Sequence, residues 1–303
     1  MAKSGAKNRR PASLDVFPRR KRRGEKLAVL TAYDLTSARI AASGGVDAIL
    51  VGDSLGMVVL GHENTLPVTL EDMLHHCRAV ARARTGVPVI ADMPYGSFHL
   101  SPRETAAAGL RLVKEGGVHA VKIEGGRERS AHIAALLNAE IPVMGHLGLT
   151  PQSVHKLGGY KVQGRGKEAG RRLREDALFL AEAGCFSLVL ECVPAALATA
   201  ISAEMAIPTI GIGAGAGCDG QVLVFHDLLG LFEDLAPRFV KRYAELGQDA
   251  TAAVDRYVTE VRGGEFPGAE HAFDAETGAA AAGGSGPGAG YLGELKDGDE
   301  EPS

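Results

Sequence analysis

Short apolar runs alternate with amphipathic stretches along most of this chain. Eight of the runs are rich in valine, isoleucine and leucine and are candidate strands: LAVLTAY (27–33), AILVGD (48–53), PVIAD (88–92), AVKIE (120–124), IPVMGH (141–146), SLVLE (187–191), IPTIGIG (207–213) and QVLVFHD (221–227). Most are apolar without alternation, which is typical of parallel strands that are covered on both faces. The pattern therefore predicts a parallel sheet that is enclosed by helices.

The segments between these runs carry the signals of helix starts. Residues 101–104 (SPRE) combine a capping box with a proline at the first helical position. Thr69 is placed to cap a second helix, from Leu70 to Ala83, with two acids in its first turn. Eight strands with intervening helices predict an α/β protein, a (β/α)8 TIM barrel, over residues 27–263.

A doubly wound open sheet would also alternate strands with helices. Such a sheet that binds a dinucleotide carries G-x-G-x-x-G directly after its first strand. The first strand here ends instead in Tyr33-Asp34, and no such motif follows it. The barrel is therefore the better prediction.

Charge changes the picture at the two ends of the chain. Residues 1–26 have a net charge of +8, and residues 264–303 have a net charge of −8. Because the basic run 19–23 contains no aromatic residue and no recognition helix accompanies it, we expect a solvated leader rather than a nucleic-acid patch. Residues 278–290 (GAAAAGGSGPGAG) predict a flexible linker inside a disordered acidic tail. We assign no function to either end.

Cysteine usage and hydropathy favour a cytoplasmic protein that has no membrane partner. The four cysteines, at positions 77, 185, 192 and 218, form no C-x-x-C pair, and we expect them to be reduced thiols. No apolar run reaches the ~18 residues that a membrane helix needs. The first ten residues lack the apolar segment of a signal peptide.

Acidic residues end three successive predicted strands, at Asp53, Asp92 and Glu124. Strand ends meet at the mouth of a barrel, where three carboxylates would repel one another unless a cation lay between them. Oxygen ligands alone suit a hard ion, so the sequence predicts a Mg²⁺ site rather than three unrelated helix caps. Asp34 is different, because it directly precedes a helix and is interpreted as a cap.

Three more polar residues lie on predicted strands. Lys122 and Glu124 are two positions apart and share a face, so Lys122 should point inward, pair with Glu124 and donate to an anionic ligand. If Glu124 is a metal ligand, a register that turns Lys122 outward is excluded. Glu191 ends a strand among apolar residues, which suits either a proton-abstracting base or a structural acid. His146 is the weaker candidate, since an isolated histidine is often structural.

Seven motifs occur in order between residues 30 and 230: LTAYD (30–34), VGDSLGMVVLGHENTLPVTLEDM (51–73), ADMPYGSF (91–98), VKIEGG (121–126), GHLGLTPQ (145–152), LVLECVP (188–194) and GIGAGAGCDGQVLVFHDLLG (211–230). Together they resemble the ketopantoate hydroxymethyltransferase family. No single motif would carry the resemblance alone.

The resemblance implies a Mg²⁺-dependent barrel of the phosphoenolpyruvate/pyruvate superfamily. Its activity would be hydroxymethyl transfer from 5,10-methylenetetrahydrofolate to 3-methyl-2-oxobutanoate, the first step of pantothenate synthesis, by a homodecamer. The positions that match the family's functional residues are all present: Asp53, Asp92 and Glu124 for the metal; Asp53, Ser54, Asp92, Lys122 and His146 for the substrate; and Glu191 for the base.

Two other functions remain open at this point. A C–C lyase or phosphonomutase of the same superfamily would use the same metal carboxylates on a related 2-oxoacid, without folate. The run 211–227 favours the hydroxymethyltransferases over these enzymes. A scaffold protein on an inactive barrel is the second alternative, and the presence of every matched metal ligand and of the base argues against it.

Overall fold

Eight parallel strands close into a barrel in this computed structural model, which describes residues 12–232 and 237–272. The strands neighbour one another in chain order, and β8 pairs with β1 to close the ring. The predicted (β/α)8 fold is therefore confirmed. The strand bounds are β1 Leu27–Thr31, β2 Ala48–Val51, β3 Val89–Asp92, β4 Ala120–Glu124, β5 Val143–Gly148, β6 Ser187–Glu191, β7 Thr209–Ile212 and β8 Gly220–Leu223.

Helices precede, connect and follow the strands. Short 3₁₀ turns lie at Arg127–Arg129, Pro151–Ser153 and Ala269–His271. The α-helix bounds are α1 Val16–Arg23, α2 Leu35–Ser43, α3 Leu55–Val58, α4 Leu70–Ala81, α5 Pro102–Lys114, α6 Ser130–Asn138, α7 Val154–Leu157, α8 Lys167–Glu182, α9 Ala195–Glu204, α10 Phe225–Leu229 and α11 Leu246–Gly263.

The helix starts follow the local chemistry that the sequence indicated. Thr69 Oγ1 accepts a hydrogen bond from the Asp72 N–H at 3.1 Å, and the Asp72 carboxylate accepts one from the Thr69 N–H at 2.9 Å. Ser101 Oγ accepts from the Glu104 N–H at 3.2 Å. Asp34 is the cap that we predicted, because its carboxylate accepts from the Ser37 N–H at 2.7 Å. These bonds satisfy amide groups that the first helical turn leaves free.

Several predicted strands extend too far at their carboxyl ends. The last predicted strand was to run to Asp227, but β8 ends at Leu223 and helix α10 begins at Phe225. The Phe225 N–H donates to Thr31 Oγ1 at 2.9 Å, at the end of β1. The chain therefore turns into a helix at the barrel mouth, where an apolar run alone does not distinguish a strand from a buried helix.

Apolar side chains fill the barrel and also pack between the strands and the outer helices. The interior group includes Leu50 on β2, Ile90 on β3, Met144 on β5 and Val189 on β6. The outer layer is larger and joins the opposite strand faces to the helices. The continuous apolar runs of the sequence reflect this burial on both faces.

Helix α1 corrects the prediction of a solvated leader. The Phe17 side chain is fully buried and belongs to the interior group of the barrel. Lys21 Nζ lies 2.7 Å from Asp219 Oδ2, and Arg20 Nη2 lies 2.6 Å from Asp47 Oδ1. Both acids precede strands, so α1 covers the amino-terminal end of the barrel. An open barrel interior would expose apolar surface, and this helix removes it from water.

A second compact unit begins at Gln248, whereas the first extends to Gly247. It contains most of α11. The ring of Tyr257 on this helix packs edge to face against the ring of Phe266, which follows the helix, and the two ring centroids are 5.7 Å apart. The glycine-rich run 278–290 and the predicted disordered tail from residue 273 on lie outside the described residues. Among the helices that the structure describes, none is long and apolar enough to cross a membrane.

Phe17→Ala should destabilise the barrel by about 3–5 kcal/mol, because it empties a fully buried aromatic site. Urea unfolding followed by circular dichroism measures this change. Leu100→Ala is the matched control, since Leu100 is 77% exposed, and it should change the free energy of unfolding by less than about 0.5 kcal/mol. Equal effects of the two variants would contradict the placement of α1.

Candidate active site

Six of the ionisable side chains that line a cavity of about 460 Å³ at the carboxyl ends of the strands come from four strands and one loop. Five of them are between 2% and 5% exposed, and the side chain of Glu191 is 15% exposed. The six are Asp53, Asp92, Lys122, Glu124, His146 and Glu191. The structure therefore brings together the ionisable residues that the sequence singled out.

Lys122 pairs with Asp92 rather than with Glu124, which corrects the predicted partner. Lys122 Nζ lies 3.0 Å from Asp92 Oδ1. The two residues are register partners on β4 and β3, whereas Glu124 lies two positions further along the same strand. Burial lowers the pKa of Lys122, but Asp92 and Glu124 more than offset it and hold that pKa above its usual range. The lysine is therefore a buried, charged donor.

His146 lies between two carboxylates. It is the register partner of Glu124 on β5, and its Nδ1 lies 3.4 Å from Glu124 Oε1. Its Nε2 lies 3.3 Å from Glu191 Oε2. Burial and Lys122 lower the pKa of His146, yet the two carboxylates outweigh them and raise it above the usual value. The histidine thus links the acid on β4 to the acid that ends β6.

Gln152 holds two of the acids and was not singled out from the sequence. Its Nε2 donates to Asp53 Oδ2 at 2.8 Å and to the Met93 carbonyl at 2.9 Å. Its backbone N–H donates to Glu124 Oε2 at 3.1 Å. Gln152 ends the GHLGLTPQ motif, which was noted only as part of a resemblance. This motif was the signal in the sequence that could have pointed to Gln152. Its contacts could not be predicted from the sequence, because only the fold brings Gln152 next to Asp53 and Glu124.

Ser54 is held by a second residue that sequence reasoning missed. The hydroxyls of Tyr33 and Ser54 lie 2.8 Å apart, and the Tyr33 side chain is buried. A Cβ at Gly52 would lie 2.7 Å from Ser54 Oγ, so a side chain at this position would displace the Ser54 hydroxyl. Tyr33 stands in the LTAYD motif, at the end of the predicted first strand.

The donor chemistry of this site fits a hard divalent cation. Burial, Asp92 and Glu124 together hold the pKa of Asp53 well above its usual range. Three buried carboxylates thus face one lysine, and a cation would relieve the excess negative charge. Among the described residues, no three His, Cys, Asp or Glu side chains stand in a ready metal-binding arrangement. Two of the acids are instead engaged by Gln152.

The fold defines a (β/α)8 barrel, and it is similar to solved structures of the PEP mutase/isocitrate lyase superfamily. A structure of phosphonopyruvate hydrolase with oxalate and Mg²⁺ has a TM-score of 0.55 and 12% identity, over 85% of this chain and 92% of its own. The 2,3-dimethylmalate lyase of that superfamily has a TM-score of 0.53 and 19% identity, over 83% and 84%. These likenesses show the fold alone.

Sequence relatives are much closer. The family model described as ketopantoate hydroxymethyltransferase matches residues 12–269. The 3-methyl-2-oxobutanoate hydroxymethyltransferase of Nitratidesulfovibrio vulgaris is 60% identical over 260 residues, 86% of this chain and 85% of the relative. That of Enterococcus faecalis is 54% identical over 257 residues, 85% of this chain and 94% of the relative. The chain therefore belongs to the ketopantoate hydroxymethyltransferase family and is an enzyme.

Gln152→Met should destabilise the protein by about 1–3 kcal/mol, since it removes the amide that donates to the buried Asp53 carboxylate and to Met93. Urea unfolding at neutral pH tests this expectation. Gln163→Met is the matched control, because its amide donates only to an exposed carbonyl, that of Lys161, in the described residues. Its effect should stay below about 0.5 kcal/mol, and equal losses would refute the role given to Gln152.

Proposed function

We propose that this enzyme transfers a hydroxymethyl group from 5,10-methylenetetrahydrofolate to 3-methyl-2-oxobutanoate, giving 2-dehydropantoate, the first step of pantothenate biosynthesis. The observation that carries the proposal is the buried Lys122–Asp92 pair, which faces Glu191 in one cavity of a chain of this family. The names of the relatives at 54–60% identity support the same reaction.

Binding of the 2-oxoacid begins with its carboxylate. Lys122 keeps its charge in a buried place and offers donors to an anion. Ser54 lines the same cavity. Its hydroxyl lies 2.8 Å from the Tyr33 hydroxyl, and the hydrogen bond between them orients the Ser54 hydroxyl. We assign the substrate carboxylate to Lys122 and Ser54. The apolar walls of the cavity would enclose the branched end of the substrate.

Asp53, Asp92 and Glu124 would hold Mg²⁺ next to this carboxylate. A bound Mg²⁺ would supply positive charge beside the 2-oxo oxygen and so make the proton on the neighbouring carbon more acidic. The support for this part is the excess of buried negative charge, which one lysine does not balance.

Glu191 is the residue that would take the proton from C3. His146 Nε2 lies 3.3 Å from Glu191 Oε2, on the β5 side of the carboxylate. Water releases the one-carbon unit of the donor as formaldehyde, both C–N bonds to that carbon break, and tetrahydrofolate takes up the two hydrogens of the water. The electron pair left on C3 then attacks the formaldehyde carbon, and the alkoxide that forms takes the proton held by Glu191, which gives the hydroxymethyl group. Proton removal by Glu191 does not need the folate, so this step can be measured without folate.

Glu191→Gln should lower the rate of C3 proton exchange in 3-methyl-2-oxobutanoate by about a hundredfold or more, because an amide is not a base. The affinity for the 2-oxoacid should change little. Proton NMR in D₂O follows the exchange, and Glu182→Gln, at an exposed position on α8, is the control. Exchange at the normal rate in the Glu191 variant would overturn its assignment as the base.

A lyase or mutase that acts on a related 2-oxoacid is the second candidate, because barrels of this superfamily share the fold. Turnover of 3-methyl-2-oxobutanoate with and without 5,10-methylenetetrahydrofolate separates the two. We expect 2-dehydropantoate only when the donor is present. Consumption of a 2-oxoacid without the donor would favour the lyase. The homodecamer stays a prediction of the family resemblance, and the cytoplasmic location stays a prediction from cysteine usage and hydropathy.

A further inference from the structure

One carboxylate at the cavity has no part in the reaction as described so far. Five carboxylates line the described part of this cavity, and four belong to the cluster of strand-end acids. The fifth, Asp227, lies on α10, directly after β8. It makes no hydrogen bond or ion pair with a described residue, and its charged neighbour Arg242 lies 3.2 Å from Glu245 instead. A half-buried acid with no partner among the described residues, at the wall of a cavity, is a candidate to accept from a ligand that supplies donors.

The position of Asp227 is fixed by the fold. The Phe225 N–H donates to Thr31 Oγ1 at 2.9 Å, which ties the first residue of α10 to the end of β1. Burial raises the pKa of Asp227 to about 6, and Arg242 offsets only part of this rise. The carboxyl is therefore partly shielded from water, and a pair of N–H donors would be worth more there than in bulk water.

An aromatic ring shares this cavity with Asp227 and Glu191. Gly213, directly after β7, has φ +64° and carries no side chain, and a Cβ there would be 3.0 Å from Cδ1 of the Phe239 ring. Strand β7 neighbours β6, which ends in Glu191, and β8, which leads to Asp227. Phe239 therefore offers an apolar face beside β7, in the cavity that the two acids also line.

This arrangement matches one chemical group of the proposed donor. The reduced pterin of a folate is flat, and its pyrimidine edge presents a ring N–H and an amino N–H side by side. A carboxylate accepts such a pair with its two oxygens, and an aromatic ring packs against the flat face. We infer that the pterin of the donor lies on Phe239, with its paired N–H groups on Asp227 and its one-carbon end toward Glu191. The inference rests on the proposed function, which supplies the donor.

The second large cavity is the competing place for the donor. Its volume is about 790 Å³, and it adjoins the first cavity at Glu124, which lines both. It does not include Glu191 among its described lining residues, so a donor bound there would have to reach past that shared wall. It contains an aspartate of its own, Asp176, whose Oδ1 accepts from Arg127 Nε at 2.7 Å. Asp176 is thus a matched control for Asp227.

The test compares Asp227→Asn with Asp176→Asn in two measurements on the full chain. The first is C3 proton exchange of 3-methyl-2-oxobutanoate in D₂O, which needs no donor. The second is the dissociation constant of tetrahydrofolate, measured by calorimetry with the 2-oxoacid present. Asp227→Asn should leave exchange within about twofold and raise that constant about tenfold or more, because it breaks a charge-assisted pair. Asp176→Asn should change neither.

Each outcome decides one of the two proposals. Normal tetrahydrofolate binding by Asp227→Asn, or weakened binding by Asp176→Asn alone, would overturn the pterin site and leave the reaction standing. Absence of exchange in the wild-type protein would instead contradict the proposed function. If Asp227→Asn fails to fold, Phe239→Leu takes its place, and it should weaken tetrahydrofolate binding while exchange persists. Unchanged binding in that variant would also overturn the site.

Discussion

A buried lysine among carboxylates is the constraint on which the rest of this site depends. Lys122 is 5% exposed, and a charge in such a place is tolerated only with close partners of opposite sign. The register of β3 and β4 places Asp92 beside it. The acids outnumber the lysine, so the cluster retains negative charge that neither the lysine nor the hydrogen bonds of Gln152 remove. That imbalance is the physical reason for assigning a cation and an anionic substrate to one mouth.

The barrel turns simple rules of strand geometry into this arrangement. Side chains two positions apart share a face, which puts Lys122 and Glu124 on one side of β4. The register of the parallel strands then places Lys122 beside Asp92 on β3 and Glu124 beside His146 on β5. Glu191, the proposed base at the end of β6, lies 3.3 Å from that histidine. Helix α1 stabilises the barrel at the opposite, amino-terminal end, because it covers the apolar interior there and removes it from water.

The sequence predicted the fold and the strand-end acids because both rest on local patterns. Continuous apolar runs indicated the strands, and acids at their ends marked the mouth. The partner of Lys122 was predicted wrongly, since pairing across strands depends on register and not on spacing within a strand. Gln152 was missed because its contact with Asp53 spans 99 residues. Phe17 was missed because a single apolar residue in a basic segment gives no periodic signal.

The most direct test of the central claim is metal-dependent proton exchange at this mouth. The purified enzyme is incubated with 3-methyl-2-oxobutanoate in D₂O, once with Mg²⁺ and once with EDTA, and the C3 proton is followed by NMR. The account predicts that the signal disappears with Mg²⁺ and persists with EDTA, with no folate present. Persistence in both samples, or equal loss in both, would contradict the assignment of the buried acids to a cation that assists Glu191.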